Sequence, residues 1–333
     1  MKVRVAMISK WHVHAVDYAK NIMQSPNAEL FCVWDEDPLR GEAWARELNV
    51  PFEKDIDTLF ARDDVDGVII DTPTSAHHQM IMKAAKAGKH IFTEKVLVAT
   101  LKEGKEIQNS IEKNQIKFCI SYPQRITSQI LYVKKIIEDG SLGKLSVLRI
   151  RNAHGGASDN WLPKYWYDEK EACGGAMMDL GAHPAYQAAF LLGKPIRVAA
   201  MFNSLTKRGD TEDNAVSVFE FEKDVIAILE TGFVTPFSPW RLELMGTEGS
   251  LLIDEKKVRI IGKELTEGKW VEVDEKEMPD PLETPMNQWI DGILNDTPIV
   301  FDVKEALPLT QMMELAYQSH EKQQIIKADD EEA

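Results

Sequence analysis

The chain has 333 residues, 44% of them apolar and 28% charged, with a net charge of −15. That length points to two domains rather than one core, and the acidic balance excludes nucleic acid, whose phosphates need a basic stripe. No run is long and apolar enough to cross a bilayer, and the apolar start from Met1 to Ile8 stops at Lys10, too short for a signal peptide.

The predicted elements alternate from the first residue. Val3 to Ile8 reads as a buried strand, followed by a helix from about His14 to Met23. Glu29 to Trp34 is a second strand, and Asp37-Pro38 opens a helix reaching about Leu48, with proline at an early helical position. A short third strand lies near Phe52, and Gly67 to Ile70 is a fourth. Thr74 or Ser75 caps the next helix, which ends at Ala87. Ile91-Phe92 and Lys117 to Ile120 are later strands around a helix from Leu101 to Lys113. Near-continuous apolar strands between helices mean a parallel sheet covered on both faces. The reading is an α/β Rossmann-type dinucleotide-binding domain over residues 1–121.

The remainder, residues 122–333, has another grammar. Short strands at 145–153, 197–203, 215–221, 225–233, 242–245, 250–253 and 258–261 follow one another through tight turns. Helices are predicted at 127–138, 176–192, 285–294 and 303–319, and the acidic end from Ala328 reads as a solvated tail. Strands without crossovers imply a large, open, mainly antiparallel sheet in an α+β domain. An open apolar face suits a second subunit, so a homodimer or homotetramer is expected. Cys32, Cys119 and Cys173 show no metal spacing and read as reduced thiols of a cytoplasmic protein.

Lys95 follows a short apolar strand, at the carboxyl end where doubly wound sheets bind ligands. The segment Gly174-Gly175-Ala176-Met177-Met178-Asp179-Leu180-Gly181-Ala182-His183 supplies an aspartate and a histidine. Lysine, aspartate and histidine together are what proton and hydride transfer at a carbinol carbon needs. At four-residue spacing Asp179 and His183 would share a helix face, although Pro184 disfavours helical geometry at His183. Asp35 ends the second strand, where a carboxylate grips the adenosine ribose and repels a 2′-phosphate; with Glu36 and Asp37 beside it and no adjacent arginine, NAD is favoured over NADP. A metal site from His12, His14, His77 and His78 lacks regular ligand spacing, so no metal is expected.

Three pieces in this order resemble the glucose–fructose oxidoreductase / inositol dehydrogenase / rhizopine catabolism family: Ala87-Gly88-Lys89-His90-Ile91-Phe92-Thr93-Glu94-Lys95, the Gly174–His183 segment, and Gly246-Thr247-Glu248-Gly249-Ser250-Leu251. The resemblance covers nearly the whole length. It implies an NAD(P)-dependent oxidoreductase acting on the secondary alcohol or ketone of a sugar, polyol or derivative. It implies catalytic roles for Lys95, Asp179 and His183, and a cofactor lined by Thr72, Pro73, His77, Glu94, Lys95 and Gln124. Two departures stand out. The family's glycine-rich first turn is here Ser9-Lys10-Trp11-His12-Val13-His14, so these side chains, Lys10 or His12 foremost, would replace backbone contacts to the pyrophosphate. Val96 stands where the family has proline, and a trans peptide is expected there.

For substrate, Arg125, His154, Trp161 and Tyr165 are candidates; aromatic rings with polar edges suit the apolar faces of sugars. Substrate would sit in the cleft between the domains, with His183 as general base. Two alternatives stay open: a same-fold enzyme using NAD transiently for elimination or glycoside cleavage, and a non-catalytic binding or sensor protein that lost nucleotide binding with its glycines.

Overall fold

The computed structural model describes residues 2–238 and 240–328; the acidic end beyond Ala328 lies outside the described residues. The chain forms two compact units, Met1–Ser121 with Glu283–Thr310, and Tyr122–Leu282 with Gln311–Ala333.

In the first unit β1 (Val3–Ile8), α1 (Ala15–Gln24), β2 (Ala28–Trp34), α2 (Pro38–Leu48), α3 (Ile56–Phe60), β3 (Gly67–Ile70), α4 (Thr74–Lys86), β4 (His90–Thr93), α5 (Leu101–Lys113) and β5 (Phe118–Ile120) follow one another. The strands form one parallel sheet in the order β2-β1-β3-β4-β5. Its inner strands β1 and β3 are apolar and buried apart from the half-buried Arg4, as suits helix-covered parallel strands. The third strand expected near Phe52 is reduced to one parallel bridge, Val33 to Phe52, beyond β2. Helix α2 is capped by Asp37, which accepts from the Leu39 and Arg40 amides behind a first-turn proline. Helix α4 is preceded by Pro73, with no side-chain cap, so the Thr74 or Ser75 cap is corrected. Strand order changes direction between β1 and β3, the place where an open α/β sheet takes its ligand beyond the carboxyl ends.

The second unit begins with α6 (Ser128–Glu138), β6 (Leu145–Ala153), α7 (Glu169–Ala172) and α8 (Ala182–Leu192). Then come β7 (Pro195–Asn203), β8 (Asn214–Phe221), β9 (Val225–Gly232), β10 (Arg241–Gly246), β11 (Gly249–Asp254), β12 (Lys257–Gly262) and β13 (Val271–Glu272). After α9 (Pro285–Asn295) and α10 (Val303–Lys322), β14 (Ile326–Lys327) closes a sheet ordered β13-β12-β11-β10-β6-β9-β8-β7-β14. Every neighbouring pair is antiparallel apart from β6 and β9, which run parallel. Helix α8 packs on β6 and β9. On the opposite sheet face Met201, Val216, Val218, Ile226 and Met245 are exposed, Met201 paired with Val216 and both Ile226 and Met245 paired with Val147.

Two boundaries differ from the sequence reading. Helix 176–192 begins only at Ala182, because the stretch before it is tied to distant partners described below. Residues 283–310, read as part of the second domain, belong to the first unit. There Trp289 is fully buried, its Nε1–H donating to the Lys117 carbonyl at 3.1 Å, and the Phe301 carbonyl accepts from the Ile120 amide at 2.9 Å. Burial of the Trp289 ring against Gly67 of β3 and Phe92 of β4 outweighs its place in the chain.

Candidate functional site

In the first unit the candidate residues gather at the carboxyl ends of β1 to β5. The opening turn needs a left-handed residue, and Ser9 takes φ 78°, the region glycine enters at least cost. Its hydroxyl accepts from the Trp11 amide at 3.0 Å and donates to Glu36 Oε1 at 2.9 Å. The His12 amide donates to the Asp71 carbonyl at 3.1 Å, and the His14 amide donates to His12 Nδ1 at 3.2 Å. Amides that a glycine-rich turn would aim at phosphate are thus used within the protein. Trp11 is buried rather than projecting into solvent. Lys10 remains partly exposed, over the Trp44 ring and 3.2 Å from Glu47.

Asp35 sits where expected, at the end of β2, but its carboxylate is fully buried and fully engaged. It accepts from the Lys10 amide at 2.9 Å, the Asp37 amide at 2.8 Å and the Arg40 guanidinium at 2.7 Å. It therefore stitches the turn to β2, and the carboxylate facing outward is Glu36, at 34% exposure, 2.6 Å from Arg40. The expectation of no arginine beside Asp35 is corrected: Arg40 lies one helical turn on, where α2 brings it back over the carboxylates. A pattern limited to adjacent residues misses it.

Glu94, directly after β4, is buried at the carboxyl end of the sheet. Its Oε2 accepts from the Lys95 amide at 2.7 Å. Its Oε1 lies 2.6 Å from His14 Nδ1 and 3.9 Å from His12 Nδ1, and accepts from the Tyr18 hydroxyl, which is also 2.7 Å from Ser121 Oγ. Burial pushes the Glu94 carboxyl up, but the His12 charge and the His14 hydrogen bond outweigh it and hold the group well below the usual carboxylate range. Next to it, at the end of β3, both Asp71 carboxylate oxygens and Thr72 Oγ1 are buried without a hydrogen-bond partner, and burial drives the Asp71 carboxyl well above its ordinary value. Orphaned polar atoms of this kind at the strand-order switch fit a polar ligand such as a dinucleotide.

His77 is buried, with Nδ1 2.9 Å from the Val96 carbonyl and Nε2 3.1 Å from that of Thr72. It braces the Thr72-Pro73 turn against the segment after Lys95, and burial lowers its basicity. His78 instead faces Glu106 at 3.0 Å. Lys95 is buried, and the Lys95–Val96 peptide is cis, not trans as expected.

In the second unit the Gly174–Leu180 stretch is held by Glu212 and Tyr317. Glu212 accepts from the Gly175 amide at 2.9 Å, the Met177 amide at 2.8 Å and the Tyr317 hydroxyl at 2.7 Å. Tyr317 also accepts from the Met178 amide at 3.2 Å. Burial raises the Glu212 carboxyl despite these donors. A Cβ on Gly175 would stand 1.9 Å from the Glu212 carbonyl oxygen, so only glycine fits. Asp179 is half-buried and precedes α8, so it does not share a helix face with His183. His183 lies in the first turn of α8, with Pro184 where a missing amide costs no helical bond. Its Nδ1 is 2.8 Å from the Tyr186 hydroxyl, which also accepts from the Gln124 amide at 3.3 Å. The Tyr186 ring stacks on Tyr122 with centroids 4.3 Å apart.

Gln124 also accepts from the Gln187 side chain, joining this group. Arg125 is buried with its guanidinium 4.2 Å from the Phe190 ring centre. His154 packs between Trp161 and Phe233, centroids 4.6 and 5.2 Å away, and Trp161 is 54% exposed. Tyr165 is half-buried beside Trp166. Sequence reasoning named Glu36 only as a neighbour of Asp35, and missed Tyr18, Tyr186, Glu212 and Tyr317. Only Glu36 left a signal, as the next carboxylate after β2.

Two family models cover most of the chain: an oxidoreductase family, NAD-binding Rossmann fold, over residues 5–122, and a GFO/IDH/MocA C-terminal domain over residues 130–252. Scyllo-inositol 2-dehydrogenase (NAD(+)) of Bacillus subtilis is 30% identical over 71% of this chain and 69% of its own. The 2,7-anhydro-N-acetylneuraminate hydratase of Mediterraneibacter gnavus is 29% identical over 66% of this chain and 59% of its own. Among solved structures, GenD2 from gentamicin A biosynthesis, in complex with NAD, superposes with a TM-score of 0.83 at 19% identity, covering 99% of this chain and 97% of that one.

Proposed function

Because the chain belongs to the GFO/IDH/MocA family of NAD-binding oxidoreductases, we propose that it moves hydride between NAD and a secondary alcohol or ketone of a sugar or polyol. The observation that carries this reading is His183, the last residue of the segment that matches the family, whose imidazole is held by the buried Tyr186 hydroxyl of α8, itself tied to the Gln124 amide. The substrate class is supported by the inositol dehydrogenase among the relatives.

When bound, NAD supplies the hydride acceptor. Ser9, Lys10, Trp11 and His12 would border it at β1, Glu36 beside Asp35 at β2, Thr72 and Pro73 at β3, and Glu94 at β4, with Gln124 assigned to the nicotinamide end. His183 takes the hydroxyl proton as the carbonyl forms, and returns it in reduction. Tyr186, hydrogen-bonded to Nδ1, fixes the ring. The Lys95 ammonium stabilises negative charge on the substrate oxygen. Asp179 binds a neighbouring hydroxyl, and Arg125, His154, Trp161 and Tyr165 are assigned to substrate, with exposed Trp161 offering a ring face.

On this reading the first unit carries the dinucleotide, and the second carries substrate and the subunit contact. The exposed apolar stripe of Met201, Val216, Val218, Ile226 and Met245 supports a homodimer or homotetramer through that sheet. Among the described residues no helix is long and apolar enough to cross a membrane; the buried thiols Cys32 and Cys119 support a reducing, cytoplasmic site.

The test is reduction of NAD+ over a panel of polyols and sugars. Wild type should form NADH with at least one, and His183→Ala should lower kcat roughly a hundredfold or more with little change in NAD affinity. Unchanged turnover in the variant overturns the assignment. A second reading, transient oxidation that enables elimination, is supported by the hydratase among the relatives. It is recognised by substrate conversion without net NADH.

A further inference from the structure

The opening turn and the end of β4 bring together three groups that the proposed hydride transfer does not use as a set. One ligand atom each from His12, His14 and Glu94 lies within 4.8 Å of the other two. The two imidazoles stand edge to face with centroids 4.8 Å apart, and both Nδ1 atoms face the same carboxylate oxygen, at 3.9 and 2.6 Å. We propose that His12, His14 and Glu94 form a binding site for a divalent first-row transition-metal ion of the Zn2+ or Co2+ type.

Ligand chemistry selects the class. Two imidazoles and one carboxylate suit zinc and its neighbours, whereas Mg2+ and Ca2+ take oxygen sets. Three protein ligands leave at least one open position, as in exchangeable rather than closed sites. The carboxylate is already oriented as a ligating carboxylate must be: the Lys95 amide holds Oε2, and the Tyr18 hydroxyl, backed by Ser121, holds Oε1. Metal bonds of about 2.0–2.2 Å put ligand atoms about 3.3 Å apart, so the wider separations, none above 4.8 Å, must close by up to about 1.5 Å while the 2.6 Å His14–Glu94 contact opens. His14, at 40% side-chain exposure, has room to move. An ion would replace the proton shared by His14 and Glu94 and displace the 3.2 Å contact from the His14 amide to His12 Nδ1. The glycine-free turn thereby acquires a meaning of its own, because glycines in place of these residues would remove both imidazoles.

The test needs no dinucleotide, so its outcome is separate from that of the proposed activity. The full chain, stripped with a chelator, is titrated with Zn2+ against a chromophoric competitor and with Co2+ by visible absorption. The expected result is one tight equivalent with a Co2+ spectrum showing nitrogen ligation, weakened at least about a hundredfold by His14→Ala and by Glu94→Gln. His78→Ala, which breaks the separate exposed pair with Glu106, should leave the affinity unchanged. His14 is partly exposed, so its variant should keep the wild-type circular dichroism and remain interpretable if Glu94→Gln does not fold. Absence of binding by wild type at sub-millimolar metal, equal binding by His14→Ala, or loss of binding in His78→Ala would each overturn the site.

Discussion

The opening turn and the Gly174–His183 segment solve opposite problems with opposite residues. At the turn, Ser9 accepts a left-handed backbone and spends its hydroxyl on Trp11 and Glu36. What a glycine there would have faced in the family is a ligand, and side chains can take over a ligand's contacts. At Gly175 the neighbour is the protein's own backbone, the Glu212 carbonyl, and nothing can be rearranged to admit a Cβ. Glycine is dispensable where it makes room for something that binds, and fixed where it makes room for the fold.

The largest effect should therefore come from Gly175→Ala. A Cβ at 1.9 Å from a backbone oxygen forces the segment away from Glu212 and Tyr317, costing about 3 kcal/mol in denaturant unfolding and displacing Asp179 and His183. A stable, active alanine variant would break the comparison. Glu36→Ala comes next: loss of the outward carboxylate should weaken NAD binding roughly tenfold by calorimetry, with unchanged unfolding. An effect on stability without one on binding would return the ribose role to Asp35.

Glu212 offers a sharper, pH-resolved probe. Its folded pKa is raised above 4.5 by burial. The group thus favours folding fully below the unfolded value, and that contribution is lost as pH rises through the folded one. Wild type should lose melting temperature relative to Glu212→Gln as pH is raised from about 4.5 toward neutrality. A difference independent of pH would show the carboxyl titrating normally. Smallest of all, Ser9→Gly relieves the left-handed residue but removes the hydroxyl's hydrogen bonds with Trp11, Glu36 and, at 3.4 Å, Arg40, so its stability should stay within about 1 kcal/mol of wild type. A larger loss would mean that the turn is as rigidly specified as Gly175.

Most of the fold was legible because its signals are local. Apolar runs against capped helices gave the parallel sheet, and short alternating strands gave the open one. What was hidden depended on partners far away in sequence. Phe52 offers one apolar residue after Pro51 and makes only a bridge, and α8 starts late because Glu212 and Tyr317 hold the stretch before it. Residues 283–310 join the first unit through Trp289 and Phe301, whose destination no periodicity reveals. At the site, motif order pointed to Lys95, Asp179 and His183. The engagement of Asp35 by Arg40 exists only once α2 turns back over the end of β2, and the meeting of His12, His14 and Glu94 only once the sheet sets the ends of β1 and β4 on either side of β3.

Calorimetric titration of the wild-type chain with NAD+ tests most directly whether a turn without glycines still serves a dinucleotide. The account predicts saturable binding of one equivalent, tighter than that of NADP+. No heat with either nucleotide, from a protein that is folded by circular dichroism, would contradict it.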